Sequence, residues 1–180
     1  MKKKIILLFF TISLVSCGQI TTGNIDKNTK MTLTIDTNII AVLPFNNAYY
    51  WIFKEGKQID LTSKDLLDLE NLLKKCINEN NLLQEKKFNE LNSDPECVYK
   101  YIREDFIIDL KNYKRQYVAV ISSNGEKEVW VNCFCSSFNS YVQNWREEII
   151  VVQDGGNCYF NLKINLTKGE YYDFMINGVA

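Results

Sequence analysis

The stretch that decides the fold is TSKDLLDLENLLKKCI, residues 62–77. Thr62 is a residue type that caps helix amino termini, and Asp65 stands three positions later, where the acidic partner of a capping box belongs. Leu61 and Leu66 occupy the two positions of a hydrophobic staple. The apolar residues that follow recur at helical spacing and would share one face: Leu66, Leu69, Leu73, Cys76 and Ile77. The stretch therefore predicts an amphipathic helix that begins after Thr62 and packs on another element.

Beyond this stretch the helical pattern weakens. We expect Asn80-Asn81 to interrupt the helix and Leu82–Leu91 to form a second, weaker helical piece. Asn92-Ser93-Asp94-Pro95 is typical of a turn.

Upstream of the helix the sequence predicts strands. Met31–Ile35 alternates apolar and polar residues, which is the strand period. Ile39–Phe45 is a short apolar run with β-branched residues and a proline, and the aromatic run Asn46–Phe53 could extend it.

Downstream of the helix the apolar period changes to two. Gln116–Ser122 and Glu126–Cys135 flank Asn124-Gly125, a strong hairpin signal because both of its residues accept positive φ. A two-residue loop would pair Ser123 with Glu126. On that register two pairs of apolar side chains face each other: Val120 with Val129, and Val118 with Val131.

A second hairpin is predicted from Glu148–Gln153, a turn at Asp154-Gly155-Gly156-Asn157, and the alternating strand Cys158–Leu166. A further turn leads into Tyr171–Ile176. The predicted fold is α+β: one or more N-terminal strands, then one main helix packed on an antiparallel meander of about five strands. This order resembles cystatin-like folds, in which a helix lies on a curved sheet.

Composition excludes several classes of protein. The 180 residues are 46% hydrophobic and 13% aromatic, which excludes a disordered chain and suits one domain. Lys+Arg number 21 against 22 Asp+Glu, and this mild acidity argues against a nucleic-acid binder, which needs a basic face. The absence of histidine removes every histidine-based catalytic triad and every histidine metal ligand.

The amino terminus has the order of a secretory signal. Three lysines, Lys2–Lys4, precede the apolar run Ile5–Leu14, which is shorter than the roughly 20 residues of a membrane-spanning helix. Leu14-Val15-Ser16-Cys17 then closes the segment. An ordinary secretory signal with a chance cysteine is the alternative interpretation.

The tetrad at residues 14–17 resembles the lipobox of bacterial lipoproteins, and the chain resembles small lipoproteins of the Bacteroidota type. The resemblance implies that Cys17 becomes diacylated and is the new amino terminus. Acyl chains of this kind hold a protein stably on a bilayer. Neither an aspartate directly after Cys17 nor an acidic run is present, since Gly18 follows. By analogy this favours the periplasmic face of the outer membrane in a Gram-negative cell.

These features divide the chain into three parts. Residues 1–16 form the signal peptide, residues 17–30 carry the lipidated cysteine and a polar, flexible tether, and residues 31–180 form a single α+β domain. Removal of the signal peptide leaves 18 basic against 22 acidic side chains, a net charge of −4.

The five other cysteines leave three interpretations open. Cys133 and Cys135 stand two apart on a predicted strand, so both thiols point to one face, which Cys158 and Cys76 could approach. They are small apolar core residues, or two of them form a disulfide, or three or four thiolates bind a soft metal. An odd number of cysteines, with Cys97 included, leaves at least one outside any intrachain pair.

Two aromatic groups are candidate binding surfaces. Phe138, Tyr141 and Trp145 would share one helical face, and Tyr49-Tyr50-Trp51 are consecutive. Each group either completes the core or forms an exposed surface for a glycan or a protein partner.

The carboxylate pairs and the glycine-rich loop are weaker indications of a functional site. Glu147 and Glu148 would point to opposite faces of a strand, and Asp65 and Asp68 are expected on a solvated helix flank. Asp154-Gly155-Gly156-Asn157 is expected to be a hairpin turn, since it lacks the further ligands of a calcium loop.

Three function classes follow. The sequence favours a non-enzymatic, lipid-anchored envelope protein that binds a partner or a glycan, with no cofactor, no catalytic residues and no nucleic acid. The alternatives are a carboxylate-based envelope hydrolase and a thiolate metal or redox protein.

Overall fold

The computed structural model describes residues 36–96, 98–137 and 144–178. The predicted signal peptide, Cys17, the tether and the strand Met31–Ile35 lie outside the described residues, as do Cys97, Phe138 and Tyr141. All described residues belong to one compact unit, Leu33–Ala180.

One long helix, α1, spans Ser63–Ser93. Its predicted capping box is confirmed: the Asp65 amide donates to Thr62 Oγ1 at 3.1 Å, and the Thr62 amide donates to an Asp65 carboxylate oxygen at 3.0 Å. The predicted apolar face is confirmed as well, because four of its members are buried: Leu69, Leu73, Cys76 and Ile77. No helix in the described part of the chain is long and apolar enough to cross a membrane.

The predicted interruption at Asn80-Asn81 is wrong, since α1 continues through both residues and through Leu82–Leu91. The Asn81 side chain does not compete with the helix backbone, because it binds the chain that returns alongside the helix. Its amide donates to the Ile108 carbonyl at 2.8 Å and accepts from the Ile108 amide at 2.9 Å. The asparagine therefore docks residues 98–108 on the second half of α1.

Within the described residues, six strands form one mixed sheet. They are β1 (Ile40–Leu43), β2 (Lys57–Gln58), β3 (Tyr113–Ile121), β4 (Lys127–Cys135), β5 (Tyr159–Asn165) and β6 (Glu170–Ile176). The order is β1-β3-β4-β5-β6, with β2 also paired to β3. Among the strand pairs that the structure describes, only β1–β3 is parallel, and the chain between these two strands passes through α1, as a crossover requires. The α+β class, one main helix on a mostly antiparallel sheet, is confirmed.

Each face of the sheet carries its own apolar core. The helix-side core joins α1 to one face and includes Leu69, Leu73, Tyr117, Val131, Phe160 and Leu162. The loop-side core covers the other face, where segments 45–53 and 145–152 lie, and includes Phe53, Val118, Trp130, Phe134 and Trp145. The strands β3 and β4 therefore bury apolar residues on both faces, so polar–apolar alternation carries little information about which face of these two strands meets the helix.

The first hairpin forms as predicted, but its register is wrong by one residue. Ser122 pairs with Glu126 across a three-residue loop, in which Gly125 has φ +78°. Tyr117 faces Val131 and Ala119 faces Val129, so Val118 and Val120 point to the loop-side core. A left-handed third loop residue is a common alternative to the two-residue turn, and it shifts every partner.

Two predicted strand segments are not strands. Asn46–Phe53 forms a short 3-10 turn at Asn47–Tyr49 followed by further turns. Glu148–Gln153 has the residue types of a strand, but its backbone hydrogen-bonds to buried side-chain amides and not to the backbone of a neighbouring strand. Gln116 donates to the Glu148 carbonyl at 2.6 Å and accepts from the Ile150 amide at 2.9 Å, and Asn132 donates to the Ile150 carbonyl at 2.8 Å.

Candidate functional site

The four described cysteines fall under two of the open interpretations, a disulfide and buried core residues. Cys135, at the end of β4, forms a disulfide with Cys158, with a Cα–Cα distance of 4.9 Å. Cys76 and Cys133 are free and buried in the helix-side core. Burial raises the pKa of the Cys76 thiol to about 12, with a further contribution from the charge of Glu79. The pKa of Cys133 is raised as well, mainly by burial.

Among the described residues there is no group of three or more cysteine, aspartate or glutamate side chains that could hold a metal ion. The arrangement of the described sulfurs thus favours structural roles for them.

The expectation that Asp65 is solvated is wrong, because Asp65 is 8% exposed. Its carboxylate closes the capping box and pairs with Lys127 of β4 at 2.9 Å. Burial opposes the charged form, but the hydrogen bonds from Thr62 and Lys127 outweigh it and hold the pKa of Asp65 below its ordinary value. Asp68 pairs with Lys64 one turn earlier at 2.5 Å.

Glu147 and Glu148 do not lie in a strand, so the argument that they point to opposite faces of one does not apply. Both backbone amides donate to the Asn144 carbonyl, at 2.8 Å and 2.9 Å, in a turn that precedes Ile149.

A buried polar network joins α1 to β3, and sequence reasoning missed it. Glu70 is 5% exposed, accepts a hydrogen bond from the Tyr117 hydroxyl and faces the Arg115 guanidinium at 3.7 Å. The sequence did contain a signal for this network, because the charged residue Glu70 lies between Leu66 and Leu73 on the apolar face of the helix. Arg115 and Tyr117 are themselves 4% and 0% exposed, so this network seats the helix on the sheet.

The two aromatic candidates differ in the structure. Trp145 is only 7% exposed, contacts Phe134 with ring centres 5.9 Å apart, and carries the Arg146 guanidinium 4.4 Å from its own ring centre. Trp145 therefore belongs to the loop-side core, and the hypothesis of an exposed binding role is wrong for this residue.

The other group, Tyr49-Tyr50-Trp51, is partly exposed. Tyr49 packs on the loop-side core, whereas Tyr50 is 68% and Trp51 is 51% exposed. The buried Trp130 meets Trp51 edge to face, with ring centres 5.4 Å apart. A depression of about 80 Å³ lies beside them, with three amide side chains among its lining residues: Asn132, Asn161 and Asn177. We call Trp51, Trp130 and these three asparagines the Trp51 surface.

A larger cleft of about 880 Å³ lies beside the second half of α1. It is formed by the second half of α1, the returning segment 98–108, the loop 154–157 and the end of β6. Its lining side chains are Gln84, Lys87, Tyr101, Asp105, Phe106, Asp154, Asn157, Ile176 and Asn177. We call this the helix-end cleft.

The glycine-rich loop forms one wall of the helix-end cleft. The prediction that Asp154–Asn157 is a hairpin turn is wrong, because the segment before it is irregular and the chain enters β5 through the short 3-10 helix Gly156–Cys158. Gly155 has φ +93°, and a Cβ placed there would lie 2.7 Å from the Tyr159 ring. Only glycine fits this position. Sequence reasoning could not find the cleft, since its lining comes from four separate segments.

No family model matches this chain, and no curated protein or solved structure matches it either. The cystatin-like topology therefore stays a prediction from element order. The described residues define a small α+β protein with a half-exposed, braced tryptophan on one sheet face and a mixed polar and aromatic cleft at the helix end.

Proposed function

We propose that this chain is a lipid-anchored protein of the bacterial cell envelope that serves as a non-enzymatic binding module. The support for the anchor is the order of Lys2–Lys4, the apolar run Ile5–Leu14 and the tetrad that ends at Cys17. Cys17, once diacylated, is the membrane attachment point, and residues 18–30 are the tether.

The Cys135–Cys158 disulfide supports export of the chain. Disulfides form and persist in oxidising compartments such as the periplasm and are rare in the cytosol. With Gly18 after the lipidated cysteine, the periplasmic face of the outer membrane is the proposed location in a Gram-negative cell.

The observation that carries the binding role is the exposure of Trp51. A tryptophan that is 51% exposed leaves a large apolar ring in water, while its edge contact with the buried Trp130 holds the ring in place. A fixed, exposed ring with the Asn161 amide nearby suits a glycan, because the ring can stack on a sugar face and the amide can bond its hydroxyls. We therefore propose a glycan as the ligand of the Trp51 surface.

The anchor is tested by growing cells with an alkynyl fatty acid and measuring label on the protein. We expect Cys17→Ala to lose the label and to accumulate as precursor. Thr11→Ala, a change within the same apolar run, serves as the matched control and should keep the label. Equal labelling of wild type and Cys17→Ala contradicts the anchor.

The binding role is tested on an array of immobilised neutral oligosaccharides. We expect binding by the wild type and a loss of at least tenfold in Trp51→Ala, with Leu83→Ala, an exposed apolar residue of α1, as the matched control. Two results together would indicate a protein partner instead of a glycan. The array would show no binding, and crosslinking in intact cells would capture proteins with the wild type but not with Trp51→Ala.

A further inference from the structure

We propose that the helix-end cleft binds an organic cation, an ammonium or guanidinium group joined to an apolar or aromatic body. The cleft of about 880 Å³ falls within the range of small-molecule sites, roughly 300–1,000 Å³. This site shares only Asn177 with the Trp51 surface, and the proposal does not depend on Trp51.

Specific hydrogen bonds fix the walls of the cleft. Asn157 donates its side-chain amide to the Glu104 carbonyl at 2.7 Å, and so ties the glycine-rich loop to the segment that carries Tyr101, Asp105 and Phe106. Asn177 donates to the carbonyls of Val152 at 2.5 Å and Asp154 at 3.1 Å, and so ties the end of β6 to the same loop.

Further contacts hold the loop from behind. The Tyr113 hydroxyl donates to the Asn157 carbonyl at 2.8 Å, the Gly156 amide donates to the Gly178 carbonyl at 2.9 Å, and the disulfide at Cys158 anchors the end of the loop. A cleft whose walls are already ordered loses little conformational entropy when a ligand enters, which favours binding.

The lining provides a place for an apolar body. Tyr101 and Phe106 meet edge to face with ring centres 5.7 Å apart, and Phe88 of α1 supports Phe106 from behind at 5.6 Å. Tyr101 is 41% exposed and so presents ring surface to a ligand. Ile176, at the end of β6, adds an aliphatic patch to the lining.

The charges of the lining select the polar end of the ligand. Asp105 and Asp154 contribute two carboxylates from two different segments of the lining, against the ammonium of Lys87. The excess of negative charge disfavours an anion, and aromatic rings attract a cation through their electron-rich faces. An amine on an aromatic or aliphatic body satisfies both features, whether it is a free small molecule or the side chain of a peptide.

The test uses two matched probes on the mature, lipidated chain in detergent micelles: phenethylamine, which is cationic, and phenylacetate, which is anionic. Amide NMR shifts of Gly155, Gly156 and Asn177 are followed up to about 20 mM, which covers the millimolar affinity expected of ligands this small. We expect phenethylamine to shift these amides in a saturable way and phenylacetate to leave them unchanged.

Variants decide whether the carboxylates are responsible. Asp105→Asn with Asp154→Asn should weaken phenethylamine binding at least tenfold, whereas Asp60→Asn, an exposed aspartate elsewhere, should not change it. Trp51→Ala should not change it either, which separates this proposal from the glycan proposal. A Phe-Lys dipeptide with blocked termini, titrated in parallel, shows whether the cleft binds a peptide side chain better than a free small amine. Absence of saturable shifts, equal binding of both probes, or full binding by the double variant overturns the proposal.

Discussion

The Cys135–Cys158 disulfide is expected to be a main source of stability, and its removal gives the sharpest test of the loop-side architecture. The bond links residues 23 positions apart and closes a ring that contains Trp145 and the irregular segment over the loop-side core. The neighbouring residues Phe134 and Tyr159 already pair in the sheet. The folded state therefore keeps its geometry without the bond, and the effect arises mainly in the unfolded chain.

Loop-closure entropy sets the magnitude. A ring of this size restricts the unfolded chain by about 3 kcal/mol at 25 °C. The assay is urea unfolding of residues 18–180, followed by far-UV circular dichroism with and without reductant. With an m-value of about 2 kcal/mol/M, the wild-type midpoint should fall by about 1.5 M when the bond is reduced.

Variants separate the disulfide from the buried free thiol. Cys135→Ala with Cys158→Ala should match the reduced wild type and show no further response to reductant. Cys133→Ala removes a sulfur that is buried but unbonded, so its midpoint should still fall by the same amount on reduction. A wild-type midpoint that does not respond to reductant would refute the reasoning.

Three other predictions follow from the fold and are checked by urea or acid unfolding of the same fragment. Leu69→Ala should destabilise the fold by about 2–5 kcal/mol, because Leu69 is fully buried between α1 and the sheet. An unchanged midpoint would mean that the buried face of the helix is misassigned. Gly155→Ala should destabilise it as well, because the backbone there has φ +93° and the new Cβ meets the Tyr159 ring; a neutral result would contradict the loop geometry. Burial favours the neutral form of Asp65, but the hydrogen bonds from Thr62 and Lys127 outweigh it and lower the pKa of Asp65, so the contribution of its charge to stability is present at neutral pH and is lost as the pH falls below about 4. Asp65→Asn should therefore lower stability at pH 7 and reduce the loss of stability on acidification, and an unchanged pH profile would contradict this.

Much of the fold could be predicted because local signals agreed with the tertiary structure. The capping box at Thr62 and Asp65 and the apolar spacing of α1 are properties of adjacent residues, and each appears as expected. The strand period of β5 was also clear, since Phe160, Leu162 and Ile164 face the helix while Tyr159 and Asn161 face away.

The parts that could not be predicted depend on contacts between distant segments. The predicted hairpin register was wrong because Val118 and Val120 pack in the loop-side core, whereas Val129 and Val131 pack in the helix-side core. Either register therefore brings apolar side chains together. The strand at Glu148–Gln153 failed because its hydrogen bonds go to buried side-chain amides.

The candidate site shows the same division. The possible exposure of Trp51 was proposed from the aromatic run, whereas the burial of Trp145 depends on Phe134 and Arg146, which no local pattern indicates. The helix-end cleft brings α1, segment 98–108 and loop 154–157 together through the Asn157–Glu104 bond, a pairing across 53 positions that leaves no periodic signal.

The central claim is that Cys17 is the lipidated amino terminus, and mass spectrometry of the protein purified from its own membranes tests it most directly. After proteolysis, the account predicts an amino-terminal peptide that begins at Cys17 and carries the mass of a diacylglyceryl group on sulfur. A peptide that begins at another residue, or one that contains Cys17 as a free thiol, would contradict the account.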